Sequence, residues 1–310
     1  MSGLFTEAVL VATIAGGIRL AVPLLFASIG EMFGQRSGVL NLGVDGVMLL
    51  GAFGGYYTVL KTDNVWFGLL VGVGIGVVLG LVTAVMSVTL KAEQGISGIG
   101  VFLFGLGFSD LLFQMWVGTP LPIQAFPKVE IPGLSNIPFL GETLFSHSAV
   151  VYIAFAMVPL SMFIINQTNF GMKIRAVGEN PEAADSLGVS VAGIRYATLI
   201  IGGTLAGVAG AALAIDLKIF QSNLTNAAGF IAIALVYFGA WRPLGVMGGA
   251  LLYGFVNSIV LQLKTQGIIP RSWSDIAAMA PAVVTILALV VVAHRFKPPA
   301  ALTKPFERAR

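Results

Sequence analysis

Apolar stretches long enough to cross a bilayer, roughly 20 residues each, recur along the chain and are separated by short polar or proline-rich breaks. The pattern predicts spans at 8–29, 39–60, 65–90, 95–118, 148–168, 194–215, 227–241, 243–263 and 275–294. Two of these nine are short or broken. The segment 119–147 holds Pro120, Pro122, Pro127, Pro132 and Pro138, which forbid a continuous helix and predict an extramembrane loop. Residues 169–193 form a polar loop, and 295–310 a basic, proline-containing tail expected to be only partly ordered. The expected fold class is therefore an all-α polytopic membrane protein, a single domain over 1–310 with about nine transmembrane or broken helices and a range of eight to ten.

Composition strengthens that picture. The chain is 57% hydrophobic and 10% charged, with mean hydropathy +0.93 and 39 Gly, which suits helices that pack closely in lipid. Without Cys there is no disulfide framework or thiolate site. The two His, His147 and His294, are too few and too far apart for a metal centre, so no metal is expected. The N-terminus lacks the basic region of a cleaved signal, and no basic tract argues for nucleic acid. No phosphate-cradling G-x-x-x-x-G-K-[ST] motif occurs, so the chain is not expected to bind ATP by that route or to act as an enzyme.

Orientation follows from the placement of Lys and Arg. With 169–193 inside, the inner side takes Arg36, Lys91, Lys173, Arg175, Arg195, Arg242, Arg295, Lys297, Lys304, Arg308 and Arg310; the outer takes Lys61, Lys128, Lys218, Lys264 and Arg271. This predicts the N-terminus outside and the C-terminus inside. The 227–241 stretch is short enough to be a half-span and is kept as a crossing.

The polar island "GENPEAADSLGVS" at 178–190 interrupts this apolar chain. Asn180 is a good N-cap, Pro181 fits the first helical position, Glu182 favours the positive helix end and Gly188 supplies a left-handed stop, so a short helix is specified at 181–187. Spacing puts Ala183, Ala184 and Leu187 on a small apolar face and Glu182, Asp185 and Ser186 on a polar one. Either it is a stable hairpin between spans or it docks against a partner.

A second anomaly is "RSGVLNLGVDGVMLLGAFGG", where Gly38, Gly43, Gly46 and Gly51 interrupt a run that contains Asn41 and Asp45. A carboxylate at the bilayer centre costs about 2.5–3.5 kcal/mol on insertion scales, so Asp45 must face protein or water. It either lines a path or gate, or pairs with Arg36 or backbone amides. A second glycine-interrupted stretch lies at 229–255. The candidates for a path or gate are Asn41, Asp45, Gly46, Asp110, Gln114, Tyr237, Trp241 and Asn257. Arg19, deep in the first span, needs a partner, expected to be Asp45 or Asp110.

Taken together, "GMKIRAVGENPEAADSLGVSVAGIRY", "RSGVLNLGVDGVMLLGA" and "GFIAIALVYFGAWRPLG" resemble the permease subunits of bacterial ABC importers in the ribose and branched-chain amino-acid permease family, and within it the smaller permease of nucleoside and simple-sugar importers. The resemblance covers nearly the whole chain, including "EIPGLSNIPFLG" and "KPFER". It implies that the island is a coupling helix in a groove of a cytoplasmic ATPase, carried by Glu179, Asn180, Pro181, Glu182, Ala183, Ala184, Asp185, Leu187 and Gly188. It implies as partners a second, homologous permease in a heterodimer, the ATPase subunits and an extracytoplasmic solute-binding protein, all at the bacterial cytoplasmic (inner) membrane. ATP and Mg would be used by the ATPase, with no cofactor bound here. The implied solute is a nucleoside, with ribose-like sugars or branched-chain amino acids as the alternative. A rival of another class is an ion-driven secondary transporter using Asp45 and Asp110 as a relay. An intramembrane enzyme finds no support in any Ser/His or paired-acid constellation.

Overall fold

In a computed structural model, the structure describes residues 7–293, apart from 134, 136 and 138, together with 297–307. Pro138, His294, Arg295, Arg308 and Arg310 of the sequence reading therefore lie outside the described residues.

Small residues decide the architecture. Helix α9 (Val191–Leu217) carries Gly203, Gly207 and Gly210 among alanines, and α1 (Glu7–Arg36), α2 (Val44–Thr62) and α3 (Val65–Ala84) all pack against it. A Cβ on Gly210 would stand 1.8 Å from the Met48 carbonyl oxygen, and one on Gly207 2.2 Å from that of Gly72. Backbones meet there directly, the usual way for helices to gain contact in lipid, where no hydrophobic force drives them together. In the first of these contacts the core is set.

The remaining elements follow in chain order. Helix α3 runs on through a π turn, Val85–Thr89, and α4 spans Gln94–Trp116. Glu93 caps α4 by accepting from the backbone N–H groups of Gly95 (3.0 Å) and Ile96 (2.5 Å), which holds its carboxyl below the ordinary carboxylate value. This cap contributes fully above the ordinary value of 4.5 and is lost as pH falls below it. Next come strand β1 (Lys128–Glu130), α5 (Leu140–Leu144), strand β2 (Ser146–Ser148), α6 (Ala149–Gln167), α7 (Asn169–Glu179) and α8 (Pro181–Ser186). After α9 lie α10 (Ala228–Phe238), α11 (Pro243–Thr265), α12 (Ser274–Ala278) and α13 (Ala280–Ala293).

Two expectations need correction, the count of spans is met in part, and the tail, expected to be partly ordered, is docked where it is described. The fold is not purely helical, because β1 and β2 pair antiparallel with Val129 opposite His147, and Tyr56 pins the start of the 119–147 loop by donating to the Leu121 carbonyl at 2.9 Å. The first span ends at Arg36 rather than 29, since Glu31 and Gln35 are buried and satisfied by partners. Among the described residues seven helical stretches are long and apolar enough to cross a membrane, and the other two expected spans, α2 and α10, are not among them. Helix α10 has 11 residues, about 16 Å. Finally, residues 297–307 of the tail are described and docked, as shown below.

Candidate coupling element and gate

The island folds as its caps dictate. Asn180 Oδ1 accepts from the Ala183 N–H at 3.0 Å, Pro181 opens the helix, and Gly188 adopts φ +81 after Leu187. Flanking caps fix its neighbours: Thr168 Oγ1 accepts from Gly171 N–H, and Ser190 Oγ from Gly193 N–H. The apolar face read from spacing is divided. Ala184 is buried against Val177 and Val191, whereas Glu182, Ala183, Ser186 and Leu187 point outward, Leu187 with 84% of its surface exposed. Glu179 and Asn180 are exposed and Asp185 half-buried.

The tail binds the same end of the bundle. Ala301 N–H donates to the Gly178 carbonyl (2.9 Å), Thr303 N–H to that of Gly38 (3.1 Å), and Phe306 packs on the cluster of Val177, Ala184 and Val191. Lys91 meets Glu307 at 2.9 Å. Arg195, 2% exposed, donates through Nε to the Ser37 carbonyl (3.2 Å) and through Nη1 to that of Lys304 (3.1 Å). Gly38 sits at φ +92, and a Cβ there would stand 3.0 Å from both the Ala301 carbonyl oxygen and Arg195 Nη2. The α1–α2 break and the tail thus share one buried guanidinium, and the tail reaches the island through the Gly178 carbonyl and Phe306. We expect Arg195→Gln to expose 299–307 to limited proteolysis at least about tenfold faster, since a hydrogen bond from a charged group contributes about 1.5–3 kcal/mol; unchanged cleavage would leave the tail anchored by its backbone alone.

The break at 37–43 is held by a network that local patterning did not reveal. Glu31 Oε1 accepts from Gln35 Nε2 and from the Asn41 N–H, both at 3.0 Å. Gln35 Oε1 accepts from Trp241 Nε1 (2.8 Å), and Arg36 Nε donates to the Trp241 carbonyl (3.1 Å). Asn41 Oδ1 accepts from Gly43 N–H at 2.9 Å, and Tyr237 stacks edge-on against Trp241 at 4.8 Å. Asn41, Tyr237 and Trp241 therefore belong to one cluster with Glu31 and Gln35. The i, i+4 spacing of Glu31 and Gln35 at the end of an apolar run was the available signal.

Asp45, 1% exposed, caps a helix from another part of the chain. Its Oδ1 accepts from Gly229 N–H (2.7 Å) and its Oδ2 from Thr225 Oγ1 (3.1 Å), at the start of α10. Ala227, at the α10 N-cap position, contributes no side-chain cap, so a carboxylate at the positive end of this half-length helix takes the role. Of the two partner types considered, backbone amide prevails over Arg36. Gly46 lies against α4, where a Cβ would meet the Val101 carbonyl oxygen at 2.5 Å. The loop that reaches Asp45 descends from Phe220, whose ring is 5.9 Å from that of Tyr56. Eleven residues of α2 separate Tyr56 from Asp45, so the loop drops about 16 Å along it. Asp45→Leu would leave two donors without an acceptor, each costing about 1–3 kcal/mol when buried. For a permease of the kind the sequence resembles, uptake is expected to fall at least about tenfold while the chain still accumulates, because the loss is local to this junction; equal uptake would make the cap purely architectural.

Arg19 contradicts its expected pairing. Its guanidinium meets Asp216 on α9 at 3.3 Å, not Asp45 or Asp110. Asp110 instead accepts from Gln114 Nε2 (2.7 Å) and from Ser222 in the descending loop. Asn257 is half-buried on α11, 14 residues and about 21 Å beyond Pro243, away from the Trp241 cluster.

Comparison with known proteins agrees with this architecture. The chain is 34% identical over 307 residues to the guanosine ABC transporter permease NupQ of Bacillus subtilis, covering 94% of both chains. It is 33% identical over 291 residues to the nucleoside ABC transporter permease NupC of Lactococcus lactis, covering 90% of this chain and 91% of that one. Identity reaches 40% over 256 residues with the putative glucose ABC transporter permease TsgC13 of Haloferax volcanii, across 81% and 77% of the two chains. No solved structure matches the chain. Since the pattern described as the permease component of branched-chain amino acid transport systems matches residues 13–292, this multi-pass membrane protein belongs to that permease family.

Proposed function

We propose that the chain is the permease subunit of an ATP-driven nucleoside importer in the bacterial inner membrane. The observation that carries this reading is α8: a doubly capped helix, fixed to its own chain by Ala184, that presents Glu182 and an 84% exposed Leu187 outward. Such a helix suits a coupling element seated in a separate ATPase, which supplies the hydrolysis. The relatives' names support nucleosides as cargo, with the Haloferax relative favouring a sugar as the second reading.

Nine passages fit the path of the chain: seven long helical stretches, α2, and the descending loop completed by α10. An odd number would set the termini on opposite sides, and the excess of Lys and Arg on the α8 side favours a cytoplasmic location for that end, with the N-terminus outside. Two different permeases carry the guanosine transporter name in Bacillus subtilis, NupP and NupQ, which favours a heterodimer with a second permease. An extracytoplasmic binding protein then delivers the solute, and alternating access follows from ATPase closure pressing on α8. The test is co-purification of the tagged chain with the products of neighbouring genes, followed by ATPase assay. Guanosine-stimulated hydrolysis by a complex of two permeases and an ATPase is expected; a chain that purifies alone and transports without ATP would overturn the reading.

A further inference from the structure

One stripe of α4 changes character along its length. Leu103, Gly107, Asp110 and Gln114 follow one another at helical spacing, and the stripe turns from apolar to polar where the descending loop comes alongside. Gln114, Gln221, Ser222, Asn223 and Asn226 are exposed and Asp110 is half-buried. Gln114 is only two residues, about 3 Å, from the Trp116 end of α4, but the polar groups continue deeper. Asp110 lies six residues, about 9 Å, inside the Trp116 end of a 23-residue helix about 34 Å long. The loop goes deeper, since Phe230 just beyond it meets Phe102 edge-on at 5.1 Å, and Phe102 is 14 residues or about 21 Å from Trp116.

Lipid cannot cover such a surface. Irregular backbone at this depth is tolerated only where it is buried in protein or lines a water-filled cavity, and a carboxylate facing hydrocarbon costs about 2.5–3.5 kcal/mol. The loop is buried on one side only, where Leu224 and Thr225 point inward and Thr225 donates to Asp45. Its other side is open.

We propose that Asp110, Gln114, Gln221, Ser222, Asn223 and Asn226 form the solute-facing wall of the translocation path. Their chemistry selects a neutral, hydroxyl-rich solute that donates to Asp110 and exchanges hydrogen bonds with the amides. The half-buried Phe102 and Phe230 rings offer an apolar surface for a planar ring at the lower end. A phosphorylated solute is repelled by Asp110, so a nucleoside passes and a nucleotide does not. The nucleoside part of this assignment rests on the proposed importer function.

The absence of Cys makes a direct test clean. Asn226→Cys, Ser222→Cys and, as a control in purely apolar surroundings, Val78→Cys on α3 would be treated in vesicles of the assembled transporter with a charged, membrane-impermeant methanethiosulfonate. The first two are expected to react and lose uptake, with saturating guanosine slowing the reaction about tenfold, while Val78→Cys stays unreactive. Should both loop variants be as inert as Val78→Cys in vesicles that still take up guanosine, the wall is a dry interface with the second permease and the proposal falls while the importer reading stands. Labelling that guanosine does not slow, in vesicles that import it, also overturns the solute-facing assignment. If guanosine is not taken up but glucose slows labelling, the wall stands and the nucleoside reading falls. Ser222→Cys, a near-isosteric change, keeps the test decisive if Asn226→Cys fails to accumulate.

Discussion

Leu187→Asp is expected to abolish solute uptake while leaving the chain in the membrane at the wild-type level. The side chain is 84% exposed at the end of α8, and substitutions at such positions usually shift folding by no more than about 0.5 kcal/mol. Seated in an ATPase groove, the same Leu would contribute about 1.5–3 kcal/mol through burial. A carboxylate in its place adds the cost of desolvating a charge with no partner. Together these predict binding at least about 100-fold weaker, equivalent to about 2.7 kcal/mol. Recovery of the ATPase on the tagged chain and uptake in the same cells would measure this, with Leu187→Met as the variant that keeps both. Wild-type recovery of the ATPase on Leu187→Asp would mean that α8 is a solvent-exposed turn, and the coupling assignment would fall with it. Glu182→Lys addresses the other half of the exposed face: it should spare insertion yet release ATP hydrolysis from transport, and normal uptake would exclude Glu182 from the contact.

What the sequence revealed and what it hid divide along the distance between partners. The caps of α8 were legible because Asn180, Pro181 and Gly188 act within one turn of themselves. Which face of that helix is free was not, because Ala184 is drawn inward by Val177, Val191 and a phenylalanine at position 306. Asp45 could be excluded from lipid on cost alone, but its acceptor role concerns an amide 184 residues away. Glu31 and Gln35 went unnoticed and Arg195 was read only as an inner-side charge: each stands near a helix terminus, where polar residues read as the start of a loop, and Gln35 and Arg195 find partners in distant segments, Trp241 for one and Ser37 and Lys304 for the other. The tail is the sharpest case. Three prolines and basic charge in 295–310 read as a partly ordered tail, and what the pattern could not show is its docking site: residues 301 and 303 bind carbonyls of Gly178 and Gly38, and glycine carbonyls leave no trace in a pattern of side chains. Arg19 was rightly judged to need an acid, and the wrong acids were chosen because Asp216, at the far end of a long apolar run, looked like part of a loop.

Gly210→Val is expected to prevent the chain from accumulating at all. A Cβ there would lie 1.8 Å from the Met48 carbonyl oxygen, 2.6 Å from its carbon and 2.9 Å from the Ala52 nitrogen. All three are backbone atoms of α2, so no rotamer change relieves the overlap and the two helices must move apart. Separation there is not local, because α9 also meets α3 through Gly207 and Gly203, where added Cβ atoms would approach the Gly72 and Gly76 carbonyl oxygens at 2.2 and 2.4 Å. Overpacking that side chains absorb costs about 1–3 kcal/mol; here backbones must shift across the centre of the bundle, and a loss above about 4 kcal/mol would be diagnostic of that mechanism. Against a typical total stability of about 5–15 kcal/mol, such a loss depletes the folded chain. Gly74→Val is the matched control, since a Cβ on Gly74 meets nothing within 4 Å and the position is exposed. It should accumulate like the wild type, whereas Gly210→Val should be degraded, as read by membrane-fraction blots and by melting in detergent. Equal melting of the two variants would show that α2 and α9 do not touch backbone to backbone, and the placement of Asp45, which rides on α2 three residues before Met48, would have to be revised with it.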